Sequence, residues 1–398
     1  MTKTKSYDDV TKKIVAALKS VASQLGITAQ EVTRTQLIKH GAVSDYSLRM
    51  VGGLDSVKQR FFPVSEKDLA GVRVGKEVKR KLSEMERKLG EKELFQEYML
   101  RSVLETVKGL KLGKAQLPTV SKDKTKRSMT IELMLSDLHY GKKTKTFNHT
   151  VARNRMRHLT EVLLKEIRDK QLIFNVDRII IALIGDIIES ASMHLLESMV
   201  GSEFGNSEQV QVAIESLWHD VIVPVASLGI PIDVPAVTGN HDRSETKQTY
   251  HYPGKSNLTW IIYKTLEMLS VEAGFKNVKF HIAEDAYLVL PIYKENCLYE
   301  HGNYSKNTKD ALENQMRKRS TQLNTMIHYI RQGHWHTYYN YERGRMIGNE
   351  SLCGQDSFAN VLGFDSKAGQ TINMYIETKD RPTSFYTSFP VCLSHIGE

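Results

Sequence analysis

Five short apolar runs in the last two-thirds of the chain each lead into side chains that can ligate a metal. Residues 131–135 are followed by Ser136, Asp137, Leu138 and His139, and residues 179–184 by Gly185 and Asp186. Residues 234–237 lead into Thr238, Gly239, Asn240, His241 and Asp242. Residues 298–299 lead into Glu300, His301 and Gly302, and residues 326–330 precede Gly333, His334, Trp335 and His336. Runs of this length read as buried strands, and helical stretches such as 154–172 and 208–225 lie between them. That alternation predicts an α/β or mixed layered domain over residues 130–398. In such sheets ligands bind beyond the carboxyl ends of the strands, so the five clusters are expected to converge.

Taken singly, each cluster has a structural explanation. A lone DxH triplet arises by chance, and a glycine-flanked histidine is commonly a turn residue or a satisfied core histidine. The ordered set is more demanding. Its mixed nitrogen and oxygen donors, without thiolates, suit borderline divalent cations such as Mn²⁺, Fe²⁺, Zn²⁺ or Ni²⁺.

DxH, GD, GNHD, a later His and GHxH, in this order over about residues 130–340, resemble the signature of the calcineurin-like metallophosphoesterases. The resemblance implies a two-sheet α/β sandwich flanked by helices and two divalent metal ions, Mn²⁺ foremost. One ion would be held by Asp137, His139, Asp186 and His336. The other would be held by Asp186, Asn240, His301 and His334, with Asp186 bridging. His241 would face the substrate, to stabilise the transition state or protonate the leaving alkoxide, and Asp242 would orient its imidazole. Paired cations of this kind activate water for attack on phosphorus. His194 reads as a helix-surface or cleft residue, and Trp335 as packing its loop.

The upstream third has a different character. Residues 1–128 hold 27 Lys and Arg against 15 Asp and Glu, so the whole excess behind the net charge of +9 lies there. Residues 1–74 read as a small all-α domain with helices at 11–25, 29–39 and 44–51, an arrangement that fits a helix-turn-helix. Residues 75–112 read as a long helical arm, with Val78, Leu82, Met85 and Leu89 on one stripe, and residues 113–129 as a polar linker. Such a basic region favours an anionic partner, DNA first; a solvated basic surface is the plain alternative. No apolar run approaches the roughly 18–20 residues that span a bilayer. The three distant cysteines and the absence of a signal-like N-terminus imply a cytoplasmic setting.

The donor set specifies a phosphoester without saying which one. The basic region favours a phosphodiesterase acting on DNA, similar in pattern to repair nucleases and to calcineurin-like phage proteins. The alternatives are a phosphomonoesterase or small-nucleotide phosphodiesterase, and a DNA-binding protein with a structural metal domain. Oligomeric state is not legible.

Overall fold

The computed structural model describes residues 7–40, 43–62, 101, 103, 105, 113–191, 200–243, 253–355, 366–378 and 383–397. The chain divides into two units, Met1–Leu94 and Phe95–Glu398.

The first unit is helical. In α1 (Tyr7–Leu25), Val10, Ile14, Leu18 and Val21 recur at helical spacing and are all buried. Gly26, at φ +64°, ends the helix. The second helix, α2 (Arg34–His40), starts later than residue 29 because Thr33 and Gln36 form a capping box. Thr33 Oγ1 accepts from Gln36 N at 3.3 Å, and Gln36 Oε1 accepts from Thr33 N at 2.8 Å. Ser44 caps α3 (Asp45–Met50) as expected, accepting from Ser47 N at 3.2 Å. After Gly52 and Gly53 comes a helix the sequence reading did not anticipate, α4 (Leu54–Phe61). Leu37, Leu48, Leu54 and Val57 close one apolar core with α1. The expected helical arm, 75–112, lies outside the described residues save 101, 103 and 105.

The second unit is built on eleven described strands: β1 (Ser128–Leu135), β2 (Asn175–Ile184), β3 (Ile232–Val237), β4 (Val278–Ile282), β5 (Tyr287–Ile292), β6 (Glu295–Glu300), β7 (Tyr329–Gln332), β8 (Tyr339–Tyr341), β9 (Met346–Gly348), β10 (Gly369–Ile376) and β11 (Phe385–Cys392). They form two mixed sheets, ordered β11-β10-β1-β2-β3-β4 and β5-β6-β7-β9-β8. Strands β1 to β4 run parallel, and β10 and β11 extend their sheet antiparallel. Helices α5 (His149–Gln171), α6 (Asn206–Ser216), α7 (Val223–Ala226) and α8 (Leu258–Glu272) join the first sheet's outer core, and α9 (Lys309–Leu323) covers the second sheet. The helix expected at 208–225 is broken by a π-helical turn, Leu217–Ile222, just ahead of Pro224. The architecture is the helix-flanked two-sheet α/β fold that the sequence resemblance implies.

Strand alternation sorts the core. On β2, Ile179, Ile181 and Leu183 face the helices, while Ile180, Ala182 and Ile184 pack between the sheets with Cys297, Tyr299, Tyr329 and Tyr375. One polar cluster interrupts that apolar layer. Arg331 on β7 and Glu132 on β1 are both fully buried and 3.2 Å apart. Tyr375 Oη donates to Glu132 at 2.6 Å, Asn373 Nδ2 donates to it at 2.8 Å, and Tyr299 Oη donates to it too. The two sheets are joined by this network as well as by hydrophobic contact.

Residues 113–127, read from sequence as a linker, have no regular structure but lie against this unit. Ala115 N donates to Ala273 O at 2.8 Å, and Asp123 N to Asn175 Oδ1 at 2.9 Å. Among the described residues, no helix is long and apolar enough to cross a membrane.

Candidate metal centre

The loops that follow β1 and β2 are zipped together by backbone hydrogen bonds. Asp137 N donates to Gly185 O and His139 N to Asp186 O, both at 3.1 Å. The loops after β6 and β7 are tied in the same way, Gly333 N donating to His301 O at 2.9 Å. Donors that are distant in sequence are thereby gathered at the ends of five strands in two sheets.

Each carboxylate is then fixed from a second loop. His334 N donates to both oxygens of Asp137 at 3.0 Å, and His241 N donates to Asp186 Oδ1 at 2.7 Å. The imidazoles are aimed by their outer nitrogens. His301 Nδ1 lies 2.9 Å from the carbonyl of Ile184, so it must carry the proton, and Nε2 faces inward. There Nε2 lies 3.0 Å from Asp186 Oδ2 and 3.1 Å from Asn240 Oδ1. His139 Nε2 and His336 Nε2 are 3.2 Å apart, and His336 Nε2 is 3.3 Å from Asp137 Oδ1.

Three donor groups result. Asp137, His139 and His336 offer ligand atoms within 4.8 Å of one another, and so do Asp186, His301 and His334, and also His139, Glu189 and His241; the first two consist of expected ligands. The spacing suits cation–nitrogen bonds of about 2.0–2.1 Å. Glycine makes the approach possible. A Cβ on Gly239 would collide with Asp186 Oδ1, and one on Gly333 with Asp137 Oδ2. All seven residues singled out as ligands, Asp137, His139, Asp186, Asn240, His301, His334 and His336, lie in this region.

The backbone is held against its own preference here. Asp137, His139, Asp186, His334 and His336 have φ of 53°, 48°, 51°, 67° and 52°. A left-handed residue other than glycine costs on the order of 1–2 kcal/mol, and such residues concentrate at functional sites.

The electrostatics call for positive charge. Burial opposes a charged His301, but the Asp186 and Asp137 carboxylates outweigh it and push its pKa up to about 10. Burial, reinforced by the neighbouring His301, drives His334 down to about 4. Burial also opposes ionisation of Asp186, yet His301 and His241 hold it well below the usual carboxylate range. A divalent cation would satisfy the same carboxylates and take neutral imidazoles as ligands.

One side chain differs from its expected role. Asp242 does not orient His241. Its carboxylate accepts from the backbone N–H groups of Asp186, Ile187 and Gly239 at 2.9, 2.9 and 2.6 Å, because the loop turns it inward. Burial and the nearby Asp186 charge push its pKa up to about 7. His241 Nδ1 instead meets the carbonyl oxygen of Glu189 at 2.9 Å. Trp335 packs edge-on against the His334 ring of its own loop, as expected, and keeps 36% of its surface exposed. His194 and residues 356–365 lie outside the described residues.

Glu189 is the residue that sequence reasoning missed. Its Oε2 is 2.7 Å from His139 Nδ1, 3.5 Å from Lys142 Nζ and 3.7 Å from His241 Nδ1. The available signal was an acid three positions beyond Asp186, in the loop that continues β2.

No protein-family model matches the chain, and no curated protein sequence matches it. Among solved structures, the chain is similar to vacuolar protein sorting 29 from Cryptosporidium parvum, at 13% identity over 66% of this chain and 99% of that one, with a TM-score of 0.28. It is also similar to Yfce, a phosphoesterase from E. coli, at 13% identity over 65% and 98%, with a TM-score of 0.30. Wild-type Vps29 complexed with Zn²⁺ from Entamoeba histolytica aligns at 10% identity over 66% and 99%, with a TM-score of 0.27. Likeness at this level carries no functional argument, which rests on the geometry of the site.

Proposed function

We propose that this chain is a two-metal-ion phosphodiesterase that cleaves DNA, with DNA held by its basic N-terminal region. The observation that carries the reading is the convergence of nitrogen and oxygen donors from five strand ends, with five of those residues held in left-handed backbone. In this reading Asp137, His139 and His336 hold one ion, Asn240, His301 and His334 the other, and Asp186 is shared. Bound divalent ions, Mn²⁺ foremost, supply Lewis acidity toward a phosphoryl oxygen and a lowered water pKa.

The chain's own residues do the rest. His301 and His139 must present unprotonated Nε2 atoms; Ile184 O accepts from Nδ1 of His301, and the Glu189 carboxylate, 2.7 Å from Nδ1 of His139, favours the proton there. His241 donates Nδ1–H to the Glu189 carbonyl, so any proton exchanged with a substrate oxygen travels through Nε2. Asp242 keeps the loops after β2 and β3 at fixed separation through its three amide contacts.

The DNA assignment is supported by the surplus of 12 positive charges in residues 1–128 and by the compact helical unit within it. Cys297 and Cys353 are buried, Cys392 is exposed, and none of the three is in a disulfide, which fits a reducing, cytoplasmic setting.

The test is Mn²⁺-dependent hydrolysis of bis-p-nitrophenyl phosphate, p-nitrophenyl phosphate and end-labelled DNA, each beside His241→Ala. Cleavage of the diester and of DNA, with both lost in the variant, is expected. Cleavage of the monoester alone would overturn the nuclease reading.

A further inference from the structure

Among the described residues of the second unit, three large aromatic side chains are exposed: Tyr304, Trp335 and Tyr386. Two of the three adjoin residues of the donor set. Trp335 lies between His334 and His336, and Tyr304 is three positions beyond His301. Their two loops touch. A Cβ on Gly302 would lie 3.3 Å from Gly333 O and 3.4 Å from His334 Cβ, and Gln332 Nε2 donates to Ser305 Oγ at 2.9 Å.

The Trp335 indole meets the His334 ring edge-on, 5.2 Å between centroids, yet 36% of it stays exposed. Exposing an indole costs hydrophobic free energy that burial elsewhere would recover. Its loop is held firmly on both sides, by His334 N on Asp137 and by Ser366 Oγ donating to His336 O at 3.2 Å. A rigid, half-exposed aromatic face next to a phosphoryl site has the attributes of a base-stacking surface, since every nucleobase offers a π-face.

We propose that Trp335 stacks on the nucleobase adjoining the scissile phosphate, so that the substrate is a single strand with that base unstacked from its neighbours. The proposal deepens, and rests on, the phosphodiesterase reading. A paired base is already stacked on both faces within a duplex and must be extruded first. Stacking on a protein aromatic is tolerant of base identity, so preference for strandedness accompanies weak preference for sequence.

The test is equilibrium binding of AMP, ribose 5-phosphate, a short single-stranded oligonucleotide and its duplex to the full chain, with Trp335→Ala and Trp335→Phe measured alongside. The wild-type chain is expected to bind AMP at least about 10-fold more tightly than ribose 5-phosphate, and the single strand more tightly than the duplex. Trp335→Ala should lose most of both preferences, and Trp335→Phe should keep part of them. Equal binding of AMP and ribose 5-phosphate by the wild type would overturn the proposal, as would an equal loss for both ligands in Trp335→Ala. A preference for AMP that the single strand does not share would overturn the assignment to a polymer. A parallel assay compares hydrolysis of thymidine 5′-(p-nitrophenyl phosphate) and methyl p-nitrophenyl phosphate. Failure of the wild type to cleave either one sinks the phosphodiesterase reading, while the binding result still decides the stacking. A kcat/KM ratio between the two esters that is the same in wild type and Trp335→Ala sinks the stacking alone.

Discussion

Glu189 Oε2 lies 2.7 Å from His139 Nδ1, on the side of the imidazole opposite the His336 ring nitrogen. A carboxylate there fixes the tautomer and raises the basicity of the inward nitrogen, and losing such a partner typically costs about 10–100-fold in metal affinity. Glu189→Ala is therefore expected to weaken Mn²⁺ binding by about that factor, and Glu189→Gln by less, because the amide oxygen still accepts. Competition with a chelator measures it. Unchanged affinity in the alanine variant would show that His139 is oriented by its loop alone.

Asp242 is a structural clamp. Asp242→Ala leaves three buried N–H groups without their acceptor, at about 1–3 kcal/mol for each group left unsatisfied. Both the melting temperature and metal binding should fall together. If activity fell while stability and metal affinity held, Asp242 would act on the chemistry after all.

Gly239→Ala and Gly333→Ala test how tightly the donors are gathered. The added methyl groups meet Asp186 Oδ1 and Asp137 Oδ2, which belong to different donor groups. Each variant should lower the metal stoichiometry, read by elemental analysis of the purified protein. Full loading of both variants would mean that the carboxylates have more freedom than their amide anchors suggest.

The buried pair between the sheets gives an asymmetric expectation. Glu132→Leu or Arg331→Met alone strands a charge in the core and should cost about 3–5 kcal/mol in chemical denaturation. The double substitution should recover much of that loss, since neither variant then buries an unpaired ion. Losses that simply add would show that the two charges are stabilised by Tyr375, Tyr299 and Asn373 and hardly by each other.

Stability on the acid side should depend on Asp220, which accepts from Arg153 Nε at 2.8 Å, Ser216 Oγ at 2.9 Å and Arg157 Nε at 3.0 Å. Burial opposes its ionisation, but these donors outweigh it and hold its pKa below the ordinary aspartate value in the folded chain. Stabilisation from a carboxylate shifted this way is complete above the unfolded value and disappears as pH falls through the folded one. Asp220→Asn should therefore cost about 1–3 kcal/mol at neutral pH. The gap from wild type should narrow below about pH 4. A gap that stayed constant across that range would assign the effect to packing.

Strand β2 was the most legible in the sequence because it is apolar on both faces. Ile180, Ala182 and Ile184 on one side of β2, and Ile179, Ile181 and Leu183 on the other, make an unbroken run. Strand β10 was not legible, because its buried residues include Gln370, Thr371 and Asn373, which break any apolar run. Their burial is compensated by partners far away in the chain: Asn373 meets Glu132, and Gln370 meets Ser136 and Asn349. Arg331 and Glu132 are 199 residues apart, so nothing local announces that either is buried. The donor residues were legible because metal chemistry restricts their types and strand ends restrict their places. Asp242 was misread through its neighbour His241: adjacency in sequence suggested a contact that the turn of the loop prevents.

Donors drawn from five strand ends in two sheets have a bearing on when the centre can exist. During synthesis Asp137 and His139 leave the ribosome nearly two hundred residues before His334 and His336. Neither the group Asp137, His139 and His336 nor the group Asp186, His301 and His334 is complete in an early fragment, so both sheets must be in place before either has its full set of ligands. An ion bound as proposed would therefore enter late, and its presence in a preparation would report a finished fold.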